Sequence, residues 1–163
     1  MMQAMIFAAG LGTRLKPLTD SIPKALVEVG GETLLQRTIE RLKACGVKSM
    51  VINVHHFAQA IVDNLQANNN FGVEIAVSDE SQLLLDTGGG LKKAAQLFSP
   101  TANILIHNVD IISNVDLQAF YAHQAQSDAL LLVSQRETKR YLLFNDDMQI
   151  GRASCRERVY VLV

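Results

Sequence analysis

The sequence predicts an α/β fold, a doubly wound and mostly parallel sheet with helices on both faces. Two features of the chain point there. Short apolar runs of strand length alternate with helix-like stretches, which is the order of βαβ units. The runs MIFAA, MVINV and ILIHNV are apolar almost throughout rather than at every second position, as expected of strands covered on both sides. In such sheets ligands bind beyond the carboxyl ends of the strands, so the residues following each strand carry the functional reading.

The predicted strands cover residues 4–9, 49–54, 73–78, 103–107 and 129–134, with a further short strand at 141–144. A helix over 33–44 sets Leu34, Leu35, Ile39 and Leu42 on one face, and one over 57–67 does the same with Ala60, Ile61, Asn64 and Leu65. Gly46 stands where a helix commonly stops. Residues 90–98 and 115–126 read as two more helices, the second capped by Asn114. Asp128 reads as a turn residue, and Asp146-Asp147 as the turn of a hairpin.

Bulk properties set limits. A chain of 163 residues, 48% hydrophobic and 19% charged, suits one globular domain, here residues 1–149. Fifteen basic and sixteen acidic residues leave a formal net charge of -1, with no global field to gather nucleic acid or anionic lipid. Cys45 and Cys155 lack the spacing of a zinc site or redox pair, and Cys45 reads as a buried thiol at a helix end. No apolar stretch approaches the roughly 18 residues of a membrane span, and the start lacks the regions of a signal peptide, so the expected setting is the cytoplasm.

The segment 150–163 differs in kind. The string from Ile150 to Val159 is dense in arginine and has no packing period, and it reads as a translation of sequencing-adapter DNA following a gene fragment that runs out near Gln149. The alternative is a solvated basic tail. In both cases it is set aside from fold reasoning.

The richest chemistry follows the first strand, from Ala9 to Lys24. Gly10 and Gly12 let the backbone turn sharply and present amides to phosphate oxygens, while Arg14 and Lys24 supply positive charge. The segment is not a P-loop, because the G-x-x-x-x-G-K-[ST] spacing is absent. Nor is it the dinucleotide fingerprint, whose third glycine is replaced by Leu15. A glycine pair alone reads better as a plain turn, and Pro17 and Pro23 stiffen the loop in either case.

The string AAGLGTRLKPLT followed by PKALVEVGGETLL resembles the opening of the sugar-nucleotide pyrophosphorylases, the nucleotidyltransferases that act on sugar 1-phosphates. The likeness is nearest to bacterial members acting on mannose 1-phosphate or N-acetylmuramate 1-phosphate. It implies a Rossmann-like nucleotide-diphospho-sugar transferase fold. It also implies that Ala9, Gly10, Gly12, Thr13 and Arg14 wrap a nucleoside triphosphate while Lys24 contacts its phosphates, making Arg14 and Lys24 the expected catalytic residues.

Two later segments complete the expected site. Ser78 ends the third strand and Asp79 follows it, and Thr87-Gly88-Gly89-Gly90 precede a helix whose first amides suit a flat or anionic ligand. A flexible start to that helix is the alternative. The resemblance gives Ser78, Asp79, Thr87, Gly88 and Gly89 to the pocket for base and sugar. Asp110 follows the fourth strand on the same sheet edge, a place from which a carboxylate can hold a hard cation beside phosphate oxygens. The resemblance makes that cation Mg2+, and the alternative is a helix cap. His55 and His56 follow the second strand; adjacent extended residues point oppositely, so at most one faces the ligand, and a structural role is expected.

The reaction the resemblance implies is attack by a sugar 1-phosphate oxygen on the α-phosphorus of the triphosphate, with loss of pyrophosphate. The nucleophile is already anionic, so positioning and charge neutralisation suffice without a general base. Family members are longer, their later portion supplying a second metal-binding aspartate and much of the sugar pocket, so this chain is expected to turn over poorly. A non-catalytic nucleotide-sensing domain is the alternative, and a metal carboxylate argues against it. Base and sugar are left open, and neither nucleic acid nor membrane is an expected partner.

Overall fold

The computed structural model describes residues 2–123, 129–133, 142–147, 149 and 150–153. In chain order the strands are β1 (Gln3–Phe7), β2 (Glu28–Val29), β3 (Glu32–Thr33), β4 (Ser49–Val54), β5 (Glu74–Asp79), β6 (Ile104–Asn108), β7 (Leu142–Phe144) and β8 (Ile150–Ala153). The helices are α1 (Leu34–Ala44), α2 (Ala58–Ala67), α3 (Asp86–Ala94) and α4 (Leu117–Ala122). The main sheet runs β5-β4-β1-β6, and every pairing in it is parallel.

The expected double winding is present. Alternate residues of the strands feed two cores. Ala4, Ile6, Met50, Ile52, Val54 and Leu105 pack with Leu35, Ile39 and Leu42 of α1, Ile61 and Leu65 of α2 and Leu117 of α4. Met5, Val51 and Ile106 pack with Ala94 of α3 on the other face. Both faces are therefore apolar, which explains the near-continuous hydrophobic strands. Thr33 caps α1 by accepting from the Gln36 N–H at 3.0 Å, and Gly46, at φ 93°, follows the Cys45 C-cap. Cys45 is partly rather than fully buried.

Chain order and spatial order disagree at one place. The chain passes from β1 outward to β4 and β5, then returns to β6 on the other side of β1. The crevice beyond the carboxyl ends of β1 and β6 is thus a topological switch point, where open α/β sheets hold ligands. Val109 N–H donates to Phe7 O at 3.2 Å and keeps the chain after β6 against the chain after β1.

Several expectations need correction. Helix α3 begins at Asp86, so Thr87, Gly88, Gly89 and Gly90 lie within its first turns rather than before it. Helix α4 starts at Leu117 and is capped by Asp116, whose carboxylate accepts from Ala119 N–H at 2.9 Å; Asn114 is not the cap. The reason is long-range. Arg41 of α1 donates to Ser113 Oγ at 3.0 Å and to Val115 O at 2.7 Å, tying residues 113–115 to α1. This helix ends at Ala122, and residues 124–126 of its expected span lie outside the described residues.

The apolar run 129–133 is not a strand, although Leu132 packs on the larger core; Ser134 lies outside the described residues. Asp128, Tyr141 and Cys155 also lie outside them. Asp146 and Asp147 form the turn between β7 and β8, closed by Asn145 N–H donating to Gln149 O at 2.9 Å. Residues Ile150–Ala153, grouped with the tail on composition, pair antiparallel with Leu142–Phe144. No described helix is long and apolar enough to cross a membrane.

Candidate nucleotide site

Beyond β1 the chain forms three short 3-10 turns, Thr13–Leu15, Leu18–Asp20 and Lys24–Leu26. Gly12 is their pivot. Its φ of 65° is left-handed, and a Cβ there would lie 2.9 Å from Thr19 Cγ2 and 3.1 Å from Lys24 Cβ. Thr19 Oγ1 donates to Gly12 O at 2.9 Å, and Leu15 N–H donates to the same oxygen at 2.8 Å. The glycine is needed for both its backbone angle and the room it leaves for Lys24. Gly10, by contrast, has open space where a Cβ would stand.

Lys24 reaches across the crevice to Asp110, with Nζ donating directly to Oδ2. The side chains are 18% and 28% exposed, so the pair is partly screened by water. Two residues 86 positions apart, one expected to meet phosphate and the other a cation, are thus brought into contact. Ala9 is buried at the root of the loop, whereas Gly10, Thr13 and Arg14 are exposed along it.

A cleft of about 330 Å³ adjoins this loop, lined by Leu11, Thr13, Lys16, Thr19, Asp20 and His56. His56 is exposed and its ring meets Phe57 at a centroid distance of 4.0 Å. His55 instead turns inward, with Nδ1 2.7 Å from Glu80 O. The two imidazoles point to different places because the chain leaves β4 at Val54 and turns at His56 and Phe57.

The remaining expected residues lie at the end of β5 and the start of α3. Ser78 is buried and its hydroxyl has no hydrogen-bond partner. Asp79 is exposed and accepts from both Ser81 Oγ and Ser81 N–H, the latter at 2.7 Å. The Ser81 hydroxyl, then its amide, holds the Asp79 carboxyl below its usual range. Thr87 and Gly88 are exposed and Gly89 partly so, in the first turn of α3. Ser78 and Asp79 thus end β5, and Thr87, Gly88 and Gly89 stand in the first turn of α3, a helix that packs against β5.

Sequence reasoning passed over Asn53 and Glu80. Both are buried, and Asn53 Nδ2 donates to Glu80 Oε1 at 2.8 Å. The available signal was an asparagine inside the apolar run MVINV, since a polar group in a covered strand must find a partner.

Among the described residues no group of three or more His, Cys, Asp and Glu gathers to hold a metal ion. Asp110 offers one accessible carboxylate. That donor set fits a hard cation arriving with phosphate oxygens and keeping several waters, not an ion caged by protein alone.

Known proteins resemble this chain in sequence and in overall fold. N-acetylmuramate alpha-1-phosphate uridylyltransferase of Caulobacter vibrioides is 44% identical over 111 residues, covering 67% of this chain and 46% of that protein. The protein of the same name from Neisseria meningitidis serogroup B is 38% identical over 120 residues, covering 74% and 52%. The chain thus spans about half the length of these curated relatives. Among solved structures, HddC from Yersinia pseudotuberculosis complexed with GMP-PN matches with a TM-score of 0.74 at 27% identity, covering 94% of this chain and 71% of that one. With the nucleotidyl transferase family model matching residues 3–144, this chain belongs to the nucleotidyl transferase family.

Proposed function

We propose that the protein holds a nucleoside triphosphate on the loop from Ala9 to Lys24 and transfers its nucleotidyl group to a sugar 1-phosphate, releasing pyrophosphate. The observation carrying this reading is the contact between Lys24 and Asp110 at the switch point of the sheet. A lysine and a carboxylate that neutralise each other there are poised to exchange partners. Lys24 would turn to phosphate oxygens, leaving Asp110 as the residue that would hold Mg2+ accompanying the nucleotide.

The chain's own residues supply position and charge. Gly12 shapes the loop so that Lys24 reaches the crevice, while Arg14 is the second cation for the triphosphate. Bound Mg2+ would neutralise charge on the phosphates. Ser78, Asp79 and residues 87–89 border the place for base and sugar. The sugar phosphate is an anionic nucleophile, so alignment with the α-phosphorus replaces proton abstraction. The relatives' names support a sugar 1-phosphate acceptor, with N-acetylmuramate 1-phosphate the first to test.

The test is a pyrophosphate-release assay with UTP, GTP and dTTP, each paired with N-acetylmuramate, mannose or glucose 1-phosphate. It is run on this chain and on a chimera carrying the later portion of the Caulobacter relative. The reading expects magnesium-dependent release from one pair by the chimera, with far weaker release by the chain alone, and loss of release on Asp110→Asn. Nucleotide binding without release from any pair would favour a sensing domain instead.

A further inference from the structure

A connected set of buried polar groups lies at the α3 side of the sheet edge, and the proposed reaction does not use it. Glu80, 1% exposed, follows β5. Its Oε1 accepts from Asn53 Nδ2 at 2.8 Å, and its Oε2 accepts from Leu85 N–H at 3.1 Å. Asn53 Oδ1 accepts in turn from Ala8 N–H at 2.8 Å. The Glu80 backbone is also held, donating to Val54 O at 2.7 Å and accepting from Leu83 N–H at 3.0 Å. Gly90 closes the enclosure, since a Cβ there would lie 2.7 Å from Oε1 and 3.1 Å from Asn53 Nδ2.

The ends of this chain of bonds matter. Ala8 is the root of the loop that runs to Lys24, and Leu85 immediately precedes α3. Asp86, the first residue of α3, has φ 56°, a left-handed conformation uncommon for a residue other than glycine, so the start of the helix must be held by its surroundings. We infer that Glu80 is a positioning residue for nucleotide binding: through Asn53 and Ala8 on one side and Leu85 on the other, its carboxylate fixes the phosphate loop against the first turn of α3. This rests on the nucleotide reading proposed above.

Bond polarity makes the inference testable. Both Glu80 oxygens accept, and Asn53 cannot flip because its Oδ1 is committed to Ala8 N–H. Glu80→Gln therefore sets an amide NH2 against either Asn53 Nδ2 or Leu85 N–H, and Asn53→Asp sets two carboxylates together. The two changes combined restore every bond. The glutamine amide then donates to the new aspartate and its oxygen accepts from Leu85 N–H.

The experiment titrates the chain and these three variants with Mg-UTP and Mg-GTP at a temperature well below melting. It also follows amide exchange at Ala8, Leu85 and, as a control within β1, Ile6. Each single variant should bind nucleotide about tenfold or more weakly and exchange faster at Ala8 and Leu85 than at Ile6, while the double variant returns to within about threefold of the original affinity. A purely structural role would lower melting temperature without moving affinity in the folded protein. Folded single variants that bind like the unaltered chain overturn the inference alone, as does a folded double variant no better than the singles. If a single variant does not fold, the double variant decides: restored affinity supports the inference and a tenfold loss overturns it. Failure of the unaltered chain to bind either nucleotide overturns the functional reading and this inference with it.

Discussion

Replacing Lys24 by Met, Asp110 by Asn, and both together isolates the ion pair that joins the loop to the end of β6. The charged atoms are in direct contact, and the side chains retain 18% and 28% of their exposure. Two unit charges about 4 Å apart attract by about 1 kcal/mol in water and about 4 kcal/mol at an effective dielectric of about 20. A fully exposed pair nets less than about 1 kcal/mol, and partial desolvation of both heads offsets part of any larger gain. For this half-screened pair a coupling of about 1–2 kcal/mol follows. Urea denaturation of the four proteins measures it. Each single variant should lose about that much stability, and the double variant scarcely more than either. Thermal midpoints should fall by about 2–4 °C per kcal/mol for a chain of this size. A coupling below about 0.3 kcal/mol, the additivity of independent sites, would refute the contact on which the site is built.

Two other outcomes follow from the geometry. Gly12→Ala should cost about 2 kcal/mol or more, from left-handed backbone and the meeting of its Cβ with Thr19 and Lys24, whereas Gly10→Ala should cost less than about 0.5 kcal/mol; equal losses in urea melts would contradict the assigned loop shape. His107 is 1% exposed, and burial holds its imidazole below the ordinary 6.5. The unfolded chain therefore takes up a proton near pH 6.5 while the folded one resists it, so stability is full above about pH 6.5 and falls below it by up to about 1.4 kcal/mol per pH unit. His107→Gln should flatten that slope between pH 7.5 and 5.5, and an unchanged slope would exclude His107 as its source.

Much of the sheet was legible because a strand covered on both faces leaves little choice of residue. MIFAA, MVINV and ILIHNV announce their burial directly. The same logic misled at residues 129–133, where an apolar run signals burial without specifying conformation; Leu132 reaches the core from a segment that is not a strand. The start of α3 was misread because three glycines are poor helix formers, each about 1 kcal/mol worse than alanine. Gly88 and Gly89 are nonetheless helical, and the missing Cβ of Gly90 makes room for Glu80 and Asn53. That requirement comes from residues ten and thirty-seven positions earlier, beyond any local pattern.

The site divides along the same line. Gly12, Lys24 and Asp110 announced themselves by type and by position after a strand, and the structure brings them together. Glu80 did not, since a glutamate within Asp79-Glu80-Ser81-Gln82 looks like solvated surface. Only the β4 and β5 register, which sets Asn53 beside Ser78, places the chain so that this carboxylate turns inward.

The central claim is that Lys24 and Asp110 give up each other to hold a magnesium triphosphate. Calorimetric titration of the chain and of Asp110→Asn with UTP and GTP, in magnesium and in EDTA, tests it most directly. One nucleotide should bind the unaltered chain about tenfold or more tightly in magnesium than in EDTA, and Asp110→Asn should abolish this difference while retaining magnesium-free binding. A magnesium effect that survives the substitution, or no binding by the unaltered chain, would contradict it.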